Sequence, residues 1–283
     1  MSVKKVLVIR FRRIGDAVLS VVICSSIRKS FPEAEIHYVL NDHIAPLFEN
    51  HPDIDKIITF SDEENNHFFK YLRKVRQLMK TERYDVIIDT RATIKTLWFS
   101  AFSLRTKYRI GTSKFYNHFF HNYRVRNHVN DDLDEVVRNL LLLRPLERER
   151  KLIMTTDFRL YVTEQETAEF KSYMEQKGIN FSRFIVVCTP FTRVAGKAWD
   201  MAKMKEILSR IIQRYGAQLI FNYSRIEKEA ALALYEDMGK DEHIFIDIEA
   251  DSLRKLVSML EIADFFFGKV DPGISRRRVT YRD

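Results

Sequence analysis

Short apolar runs alternate with segments of helical spacing through most of the chain, and this alternation constrains its fold more than any other feature. The first run, Lys4–Arg10, has the length and continuous apolar character of a buried parallel strand. From Ala17 the apolar residues recur at helical spacing until Pro32. Further strands are predicted at 35–40, 54–60, 84–89 and 108–111. This order of strands and helices predicts a doubly wound parallel sheet.

The same alternation restarts in the second half, after a charged stretch that contains Pro145. A linker at 144–158 predicts two domains, 1–150 and 151–283, for which the chain is long enough. Strands are expected there at 184–189, 218–223, 244–248 and 264–268. Helices are expected at 68–81, 133–143, 164–177, 201–215, 227–238 and 253–262. Two α/β halves joined by a linker predict a cleft between them.

Residues 112–130 interrupt the alternation with a segment rich in aromatic and basic side chains. Its three histidines, His118, His121 and His128, suggest a metal site, but the His-x-x-x-His spacing and the cysteines that zinc sites use are missing. A loop that contacts an anionic sugar and a plain solvated loop are the other two interpretations. We therefore expect no metal site in this segment.

The net charge of +8, from 47 Lys and Arg against 39 Asp and Glu, favours polyanionic partners such as phosphorylated sugars, nucleotides, acidic lipids or nucleic acid. No helix-turn-helix, RNP or zinc-finger signature supports nucleic acid among these. Cys24 and Cys188 lie in apolar runs and are interpreted as small core residues. No stretch reaches the ~18 apolar residues of a membrane span, and the charged N-terminus leads into a strand. We expect a cytoplasmic protein.

Two turns that follow predicted strands carry the candidate site residues. In the first, Arg12, Arg13 and Gly15 precede Asp16, which is either a helix cap or a carboxylate held beside cations in a ligand cleft. The second turn, 189–199, offers Thr192, Arg193 and Lys197 close to a helix start, where backbone N–H groups favour an anion. Its glycine spacing is not that of a Walker A loop, so an ordinary basic loop remains the alternative.

These motifs, taken in order, resemble those of the ADP-heptose:lipopolysaccharide heptosyltransferases, glycosyltransferase family 9, over nearly the whole chain. The matching segments are Val8–Arg10, Arg13–Asp16, Phe31–Pro32, Glu35–Ile36, Tyr84–Asp89, Arg109–Gly111 and Lys197–Trp199. The resemblance implies a GT-B fold, in which two Rossmann-like domains with parallel sheets face each other across a cleft. It also implies an inverting transfer without a metal or cofactor, from an ADP-heptose donor in the C-terminal domain to an anionic lipopolysaccharide core in the N-terminal domain.

The resemblance also implies roles for individual residues. Asp16 corresponds to the general base, and Thr192 and Lys197 to donor phosphate contacts, to which Arg193 adds a cation; Glu227 or Glu229 matches an acidic donor contact. For the acceptor we expect contacts from Arg12, Arg13, Gly15, Asp89, Arg91, Lys95, Asn117 and His118. The basic charge is also compatible with peripheral attachment to the inner face of an anionic inner membrane.

The chain departs from the family pattern after Phe265–Gly268. The family continues there with a glycine-rich turn and a Pro-x-His, whereas this chain has a basic tail at 269–283. We expect a C-terminal domain that is incomplete, and codons can be chosen so that a shifted reading frame restores the family's turn. The alternative function is therefore a catalytically inactive, truncated remnant that binds a sugar phosphate or nucleotide.

Overall fold

The computed structural model describes residues 3–126, 133–191 and 200–268. The chain divides into two compact units, Met1–Tyr161 and Val162–Asp283. Each unit contains one parallel sheet with helices packed against it. The basic tail at 269–283, and with it the expected change of reading frame, lies outside the described residues.

The first unit is built on a six-stranded parallel sheet. Its strands are β1 (Lys5–Ile9), β2 (Glu35–Asn41), β3 (Lys56–Phe60), β4 (Val86–Asp89), β5 (Tyr108–Thr112) and β6 (Tyr123–Val125). Their order across the sheet is β3-β2-β1-β4-β5-β6, so that Ile9 of β1 pairs with Val39 on one side and with Asp89 on the other. The strand order reverses between β1 and β4, and in open α/β sheets the carboxyl edge at this point forms the ligand crevice.

The helices of the first unit pack against the sheet or against each other, and all except the polar α2 contain buried residues. They are α1 (Ile14–Ser30), α2 (Asp62–Asn66), α3 (Phe68–Glu82), α4 (Leu97–Ala101) and α5 (Glu135–Leu141), with 3-10 turns at Ala45–Phe48, Phe115–Asn117 and Arg144–Arg148. In α3 the buried residues Tyr71, Val75 and Met79 recur every fourth position, as an amphipathic helix requires. The α5 side chain of Asn139 donates through Nδ2 to the Leu19 carbonyl, which joins α5 to α1.

The second unit is built on a four-stranded parallel sheet. Its strands are β7 (Ile185–Thr189), β8 (Gln218–Phe221), β9 (Ile244–Phe245) and β10 (Phe265–Gly268), in the order β10-β7-β8-β9. Its helices are α6 (Glu164–Gln176), α7 (Met201–Tyr215), α8 (Lys228–Asp237) and α9 (Leu253–Ile262), with a 3-10 turn at Arg225–Glu227. One apolar cluster holds Met204 and Leu208 of α7, and a second holds Phe170 of α6 and Met259 of α9.

Most predicted elements are confirmed, and two elements of the first unit were not predicted. The segment at 112–130 contains β6, a three-residue strand at the sheet edge with no apolar run to mark it. The polar run before α3 contains α2, which Ser61 and Glu64 begin with a reciprocal capping box. Both cysteines are buried, as expected. Among the described helices, none has the length and apolar character needed to cross a membrane.

Candidate active site

Asp16 lies at the crevice between β1 and β4, in the first turn of α1. The turn that brings it there places two arginines in the left-handed region, Arg12 at φ 57° and Arg13 at φ 49°. The Arg12 backbone N–H donates to Asn41 Oδ1 at 3.0 Å, which holds the turn against the end of β2. Non-glycine residues with positive φ are costly and are kept mainly where a site requires them. Gly15 follows inside α1, and the Arg12 and Arg13 side chains are exposed.

The carboxylate of Asp16 is paired with a buried arginine. Arg10 follows β1 directly, and its side chain is 4% exposed, against 32% for Asp16. Arg10 Nη2 lies 2.7 Å from Asp16 Oδ2 and 3.4 Å from Glu135 Oε1 at the start of α5. Arg10 Nη1 donates to Thr90 Oγ1 at 3.3 Å. The sequence motifs assign no role to Arg10 or Glu135, because their contact joins segments more than a hundred residues apart.

Asp89 ends β4 and organises the loop that follows it. Its Oδ1 accepts the backbone N–H of Arg91 at 3.2 Å and that of Ala92 at 2.8 Å, and Ala92 has a φ of 48°. Asp89 is fully buried, so its side chain offers no exposed atom to an acceptor in this structure. Arg91 is exposed. A direct contact between Asp89 and the acceptor stays a prediction that would require this loop to rearrange.

The other oxygen of Asp89 faces a buried histidine. Asp89 Oδ2 lies 3.8 Å from His121 Nε2, and neither atom has a hydrogen-bond partner among the described residues. The His121 ring packs where a Cβ at Gly111 would come within 2.4 Å of it, so glycine is required at that position of β5. Burial raises the pKa of Asp89 to about 6. Burial, and then the nearby Arg109 charge, lowers the pKa of His121 to about 4.

Asn117 fixes the tautomer of His121. The Lys114 backbone N–H donates to Asn117 Oδ1 at 3.1 Å, which leaves the Asn117 amide Nδ2 to face His121 Nδ1 at 3.1 Å. A neutral His121 therefore accepts at Nδ1 and carries its proton on Nε2, pointed at Asp89. Asn117 is buried and, like Asp89, bonds to protein groups.

The remaining expected acceptor residues lie on the same side of the sheet, in the segments that follow β4 and β5. Lys95 Nζ donates to the backbone oxygen and Oδ1 of Asn65 and lies over the Tyr71 ring, and burial lowers its pKa. The Arg12 charge acts on Lys95 in the same direction, so the turn after β1 and the loop after β4 are electrostatically coupled. His118 is exposed, with Nδ1 2.9 Å from the Phe115 carbonyl.

In the second unit, the described donor candidates lie after β8. Glu227 Oε2 accepts both the backbone N–H and the hydroxyl of Ser224, at 2.8 and 2.6 Å, so Glu227 closes a capping box. Glu229 lies in the first turn of α8 and is exposed. Thr192, Arg193 and Lys197 lie outside the described residues.

One group of described residues could offer three metal ligands within 4.8 Å of one another, namely Glu35, His37 and Glu82. Lys5 Nζ already lies 3.0 Å from Glu35 and 2.5 Å from Glu82. The His37 ring bonds to Glu35 at 2.6 Å and to the Tyr84 hydroxyl at 2.7 Å. The Lys5 ammonium group thus occupies the position that a metal ion would take between these ligands. Lys5, Glu35 and His37 lie in the amino-terminal halves of β1 and β2, and Glu82 ends α3, so the group lies at the opposite edge from Asp16.

The crevice therefore combines a partly exposed carboxylate with several exposed cations. A carboxylate within reach of an acceptor hydroxyl can take its proton, and exposed arginines bind sugar carboxylates or phosphates in bidentate fashion. The first turn of α1 also places backbone N–H groups near the crevice. The arrangement in the first unit is suited to proton abstraction from an anionic substrate.

Comparison with known proteins gives concordant matches. A family model described as glycosyltransferase family 9 (heptosyltransferase) matches residues 72–274. Lipopolysaccharide heptosyltransferase 3 of Escherichia coli (strain K12) is 26% identical over 216 residues, which cover 73% of this chain and 59% of that protein. Among solved structures, a glycosyl transferase of family 9 from Veillonella parvula DSM 2008 has a TM-score of 0.80 at 15% identity, over 94% of this chain and 75% of that one. E. coli heptosyltransferase WaaC, solved with ADP-2-deoxy-2-fluoro heptose, has a TM-score of 0.69 at 17% identity, over 96% and 84%.

These matches bear on the fold and on the extent of the chain. The solved structures are less than 25% identical in sequence to this chain, so the comparison with them shows its fold. This is the GT-B fold expected from the sequence. The chain spans less than two thirds of the length of the curated relatives that it matches.

Proposed function

The chain belongs to glycosyltransferase family 9, and we propose that it transfers a heptose from ADP-heptose to the inner core of a lipopolysaccharide, with Asp16 as the general base. The observation that carries the proposal is the position of Asp16 at the crevice of the first sheet, partly exposed and paired through one oxygen with buried Arg10. The heptosyltransferase matches support the reaction class. The WaaC complex with ADP-2-deoxy-2-fluoro heptose supports an ADP-heptose donor.

The proposed chemistry is a single displacement. The acceptor hydroxyl gives its proton to Asp16 while its oxygen bonds to the anomeric carbon, and the bond from that carbon to the diphosphate oxygen breaks to release ADP. The configuration at the anomeric carbon inverts. The diphosphate carries the leaving charge, which Lys197, Arg193 and the Thr192 hydroxyl would stabilise in our proposal. No metal is required in this scheme.

The proposed partners follow from the exposed side chains in each unit. Arg12, Arg13 and Arg91 lie exposed after β1 and β4, where their guanidinium groups could bind the carboxylates of a lipopolysaccharide core sugar. Glu229 is the exposed acidic candidate for a donor hydroxyl contact, whereas Glu227 is already bonded to Ser224.

The test is ADP release from ADP-heptose by the purified chain with a lipid A–Kdo acceptor. We expect Asp16→Asn to lower the rate by at least about 100-fold, because a positioned base contributes on this scale. Asp42 is a matched control, since it is an exposed carboxylate after β2 at the same edge, and Asp42→Asn should leave the rate unchanged. NMR of the product should show inverted configuration, and EDTA should not slow the reaction.

Two results would contradict the proposal. Full activity of Asp16→Asn would remove Asp16 as the base. No ADP release by the folded wild-type chain would support the inactive binding remnant that the sequence also allows.

We further propose that the carboxyl edge of the first sheet contacts an anionic membrane surface. Large apolar side chains protrude there from the segments that follow β3, β4 and β5, and together they form an apolar rim: Phe68, Phe69, Ile94, Phe115 and Phe119. Phe115 is 89% exposed and Phe69 82% exposed. Exposed apolar groups next to cations such as Arg91 and Lys114 suit a surface with an apolar layer beneath anionic headgroups.

Vesicle co-sedimentation tests this contact without requiring activity. We expect binding to vesicles of phosphatidylglycerol with phosphatidylethanolamine, but not to vesicles of phosphatidylcholine, and weaker binding at high salt. The double variant Phe115→Ser, Phe119→Ser should lose binding. Ile226→Ser is the control, because Ile226 is 82% exposed but lies outside the apolar rim. Equal loss in both variants would contradict the proposed surface.

A further inference from the structure

Arg10 is a buried cation whose charge is shared between two carboxylates. Its Nη2 contacts Asp16 Oδ2 at 2.7 Å and Glu135 Oε1 at 3.4 Å, while Nη1 is held by Thr90 Oγ1. A guanidinium that is 4% exposed requires a negative partner at all times, because an unpaired charge in such surroundings is strongly destabilising. Two partners at one nitrogen allow one of them to change its charge.

We propose that Arg10 is the positioning residue of Asp16, and that Glu135 keeps the Arg10 charge neutralised when Asp16 takes the proton of the acceptor. This inference rests on the proposed role of Asp16 as the base. Arg10 binds Oδ2 and so orients the carboxylate, which leaves Oδ1 as the oxygen that receives the proton. The sequence motifs include Arg10 in the segment Val8–Arg10 but assign it no role.

The contact of Arg10 with two carboxylates keeps its charge neutralised when Asp16 becomes protonated during the reaction. Before transfer, Asp16 is an anion and forms an ion pair with Arg10. After transfer, the hydroxyl proton resides on Asp16, which is then neutral, and the acceptor oxygen is bonded to the heptose. Arg10 would be left without a carboxylate at that moment, but Glu135 already lies against the same Nη2 and supplies one. The proton transfer therefore does not isolate a buried charge.

The charges around Asp16 predict how each substitution changes its proton affinity. Arg10 faces it from the end of β1, Arg12 and Arg13 belong to its own turn, and Glu135 faces it from α5. Asp89, at the end of β4, interacts electrostatically with Arg10. The Arg10 cation favours the anion of Asp16, whereas the Glu135 anion favours its protonated form. Removal of Arg10 and removal of Glu135 should therefore change the proton affinity of Asp16 in opposite directions.

The experiment measures the pH midpoint of Asp16 in the full chain by carbon-13 NMR of labelled aspartate carboxyls, with the Asp16 signal identified by its loss in Asp16→Asn. We expect Glu135→Gln to lower the midpoint and Arg10→Met to raise it, because the first removes an anion and the second a cation beside Asp16. Arg10→Lys, which keeps the charge, should remain close to wild type and covers the case in which Arg10→Met does not fold. Glu33→Gln is the control, since Glu33 is exposed and precedes β2 at the opposite edge.

The acidic limb of kcat/KM for ADP release should move in the same directions, with a lower maximal rate in Glu135→Gln. Midpoints that do not move in Glu135→Gln, or that move in the same direction in Glu135→Gln and Arg10→Met, would overturn the inference. Retained activity of Asp16→Asn would instead overturn the proposed function. The NMR result is independent of turnover, so the two failures are distinguishable.

Discussion

The buried pair of Asp89 and His121 makes the stability of the first unit depend on pH in a way that can be calculated. Burial raises the pKa of Asp89 from its ordinary value of 3.8 to about 6. Because the folded state binds this proton more tightly than the unfolded state, the stabilisation is complete at acid pH and is lost as the pH rises through about 6. A difference of about two pKa units corresponds to about 3 kcal/mol in the free energy of unfolding.

The perturbation is Asp89→Asn, which keeps an oxygen for the backbone N–H groups of Arg91 and Ala92 and removes the titration. We expect the free energy of unfolding of the wild type, relative to this variant, to fall by about 2 kcal/mol between about pH 4 and pH 7.5, the window in which most of the linkage lies. Urea unfolding followed by tryptophan fluorescence measures it. The chain has two tryptophans, so a Trp199→Phe background leaves Trp98 of α4 as the reporter of the first unit.

His121, the partner of Asp89, makes the stability of the first unit depend on pH in the opposite direction. Burial lowers the pKa of His121 from 6.5 to about 4, so its contribution is present above about pH 6.5 and is lost as the pH falls through about 4. The stability of wild type relative to His121→Gln should therefore decrease on the acid side by a comparable amount. A difference between wild type and Asp89→Asn that stays constant across this pH range would refute the reasoning, as would a difference that rises with pH. Asp42→Asn, at an exposed carboxylate on the same edge, controls for general charge effects.

Three further substitutions test local features of the two units. Gly111→Ala should destabilise the first unit by about 1–3 kcal/mol in urea unfolding, because the added Cβ would lie 2.4 Å from the His121 ring and the core must shift; an unchanged midpoint would contradict this packing. Arg83→Gly should stabilise the first unit by about 0.5–1 kcal/mol, since Arg83 ends α3 at φ 44°, where glycine is favoured; destabilisation would show that the side chain contributes more than the backbone strain costs. Thr163→Ala should cost about 1 kcal/mol in thermal unfolding of the second unit, because the Thr163 side chain caps α6, and Thr163→Ser should restore it.

The larger elements were predictable because burial and periodicity determine them together. The α7 helix was predicted at 201–215, and the structure has it at Met201–Tyr215, because its apolar residues follow one helical face. The short α2 helix was missed although Ser61 and Glu64 form a capping pair in the sequence. Its polar composition gives no apolar face, so the capping signal was the only one available. The β6 strand gave neither signal, since pairing with β5 at the sheet edge determines it.

The position of a candidate site residue was predictable where it follows a strand and not where it depends on distant chain segments. Asp16 and the arginines before it were found from the turn after β1. Arg10 ends an apolar run and belongs to the matching segment Val8–Arg10, but the sequence assigns it no role, because its link to Glu135 is a tertiary contact that no local pattern records. His121 was grouped with two other histidines of the same segment. Its burial depends on Gly111, which is the residue that admits its ring to β5.

Asp16 and Asp89 show that the exposure of a carboxylate near the end of a strand depends on its position in the chain. A carboxylate that still belongs to the strand is buried, whereas one beyond the last paired residue can be exposed. Asp89 is itself the last residue of β4 and pairs with both Ile9 and Gly111. A central strand of a parallel sheet is covered on both faces, so a side chain that still belongs to the strand is buried whichever way it points. Asp16 lies beyond the strand, in the first turn of the next helix, where the crevice leaves it partly open. The same residue type thus holds a loop in one position and is partly exposed at the crevice in the other.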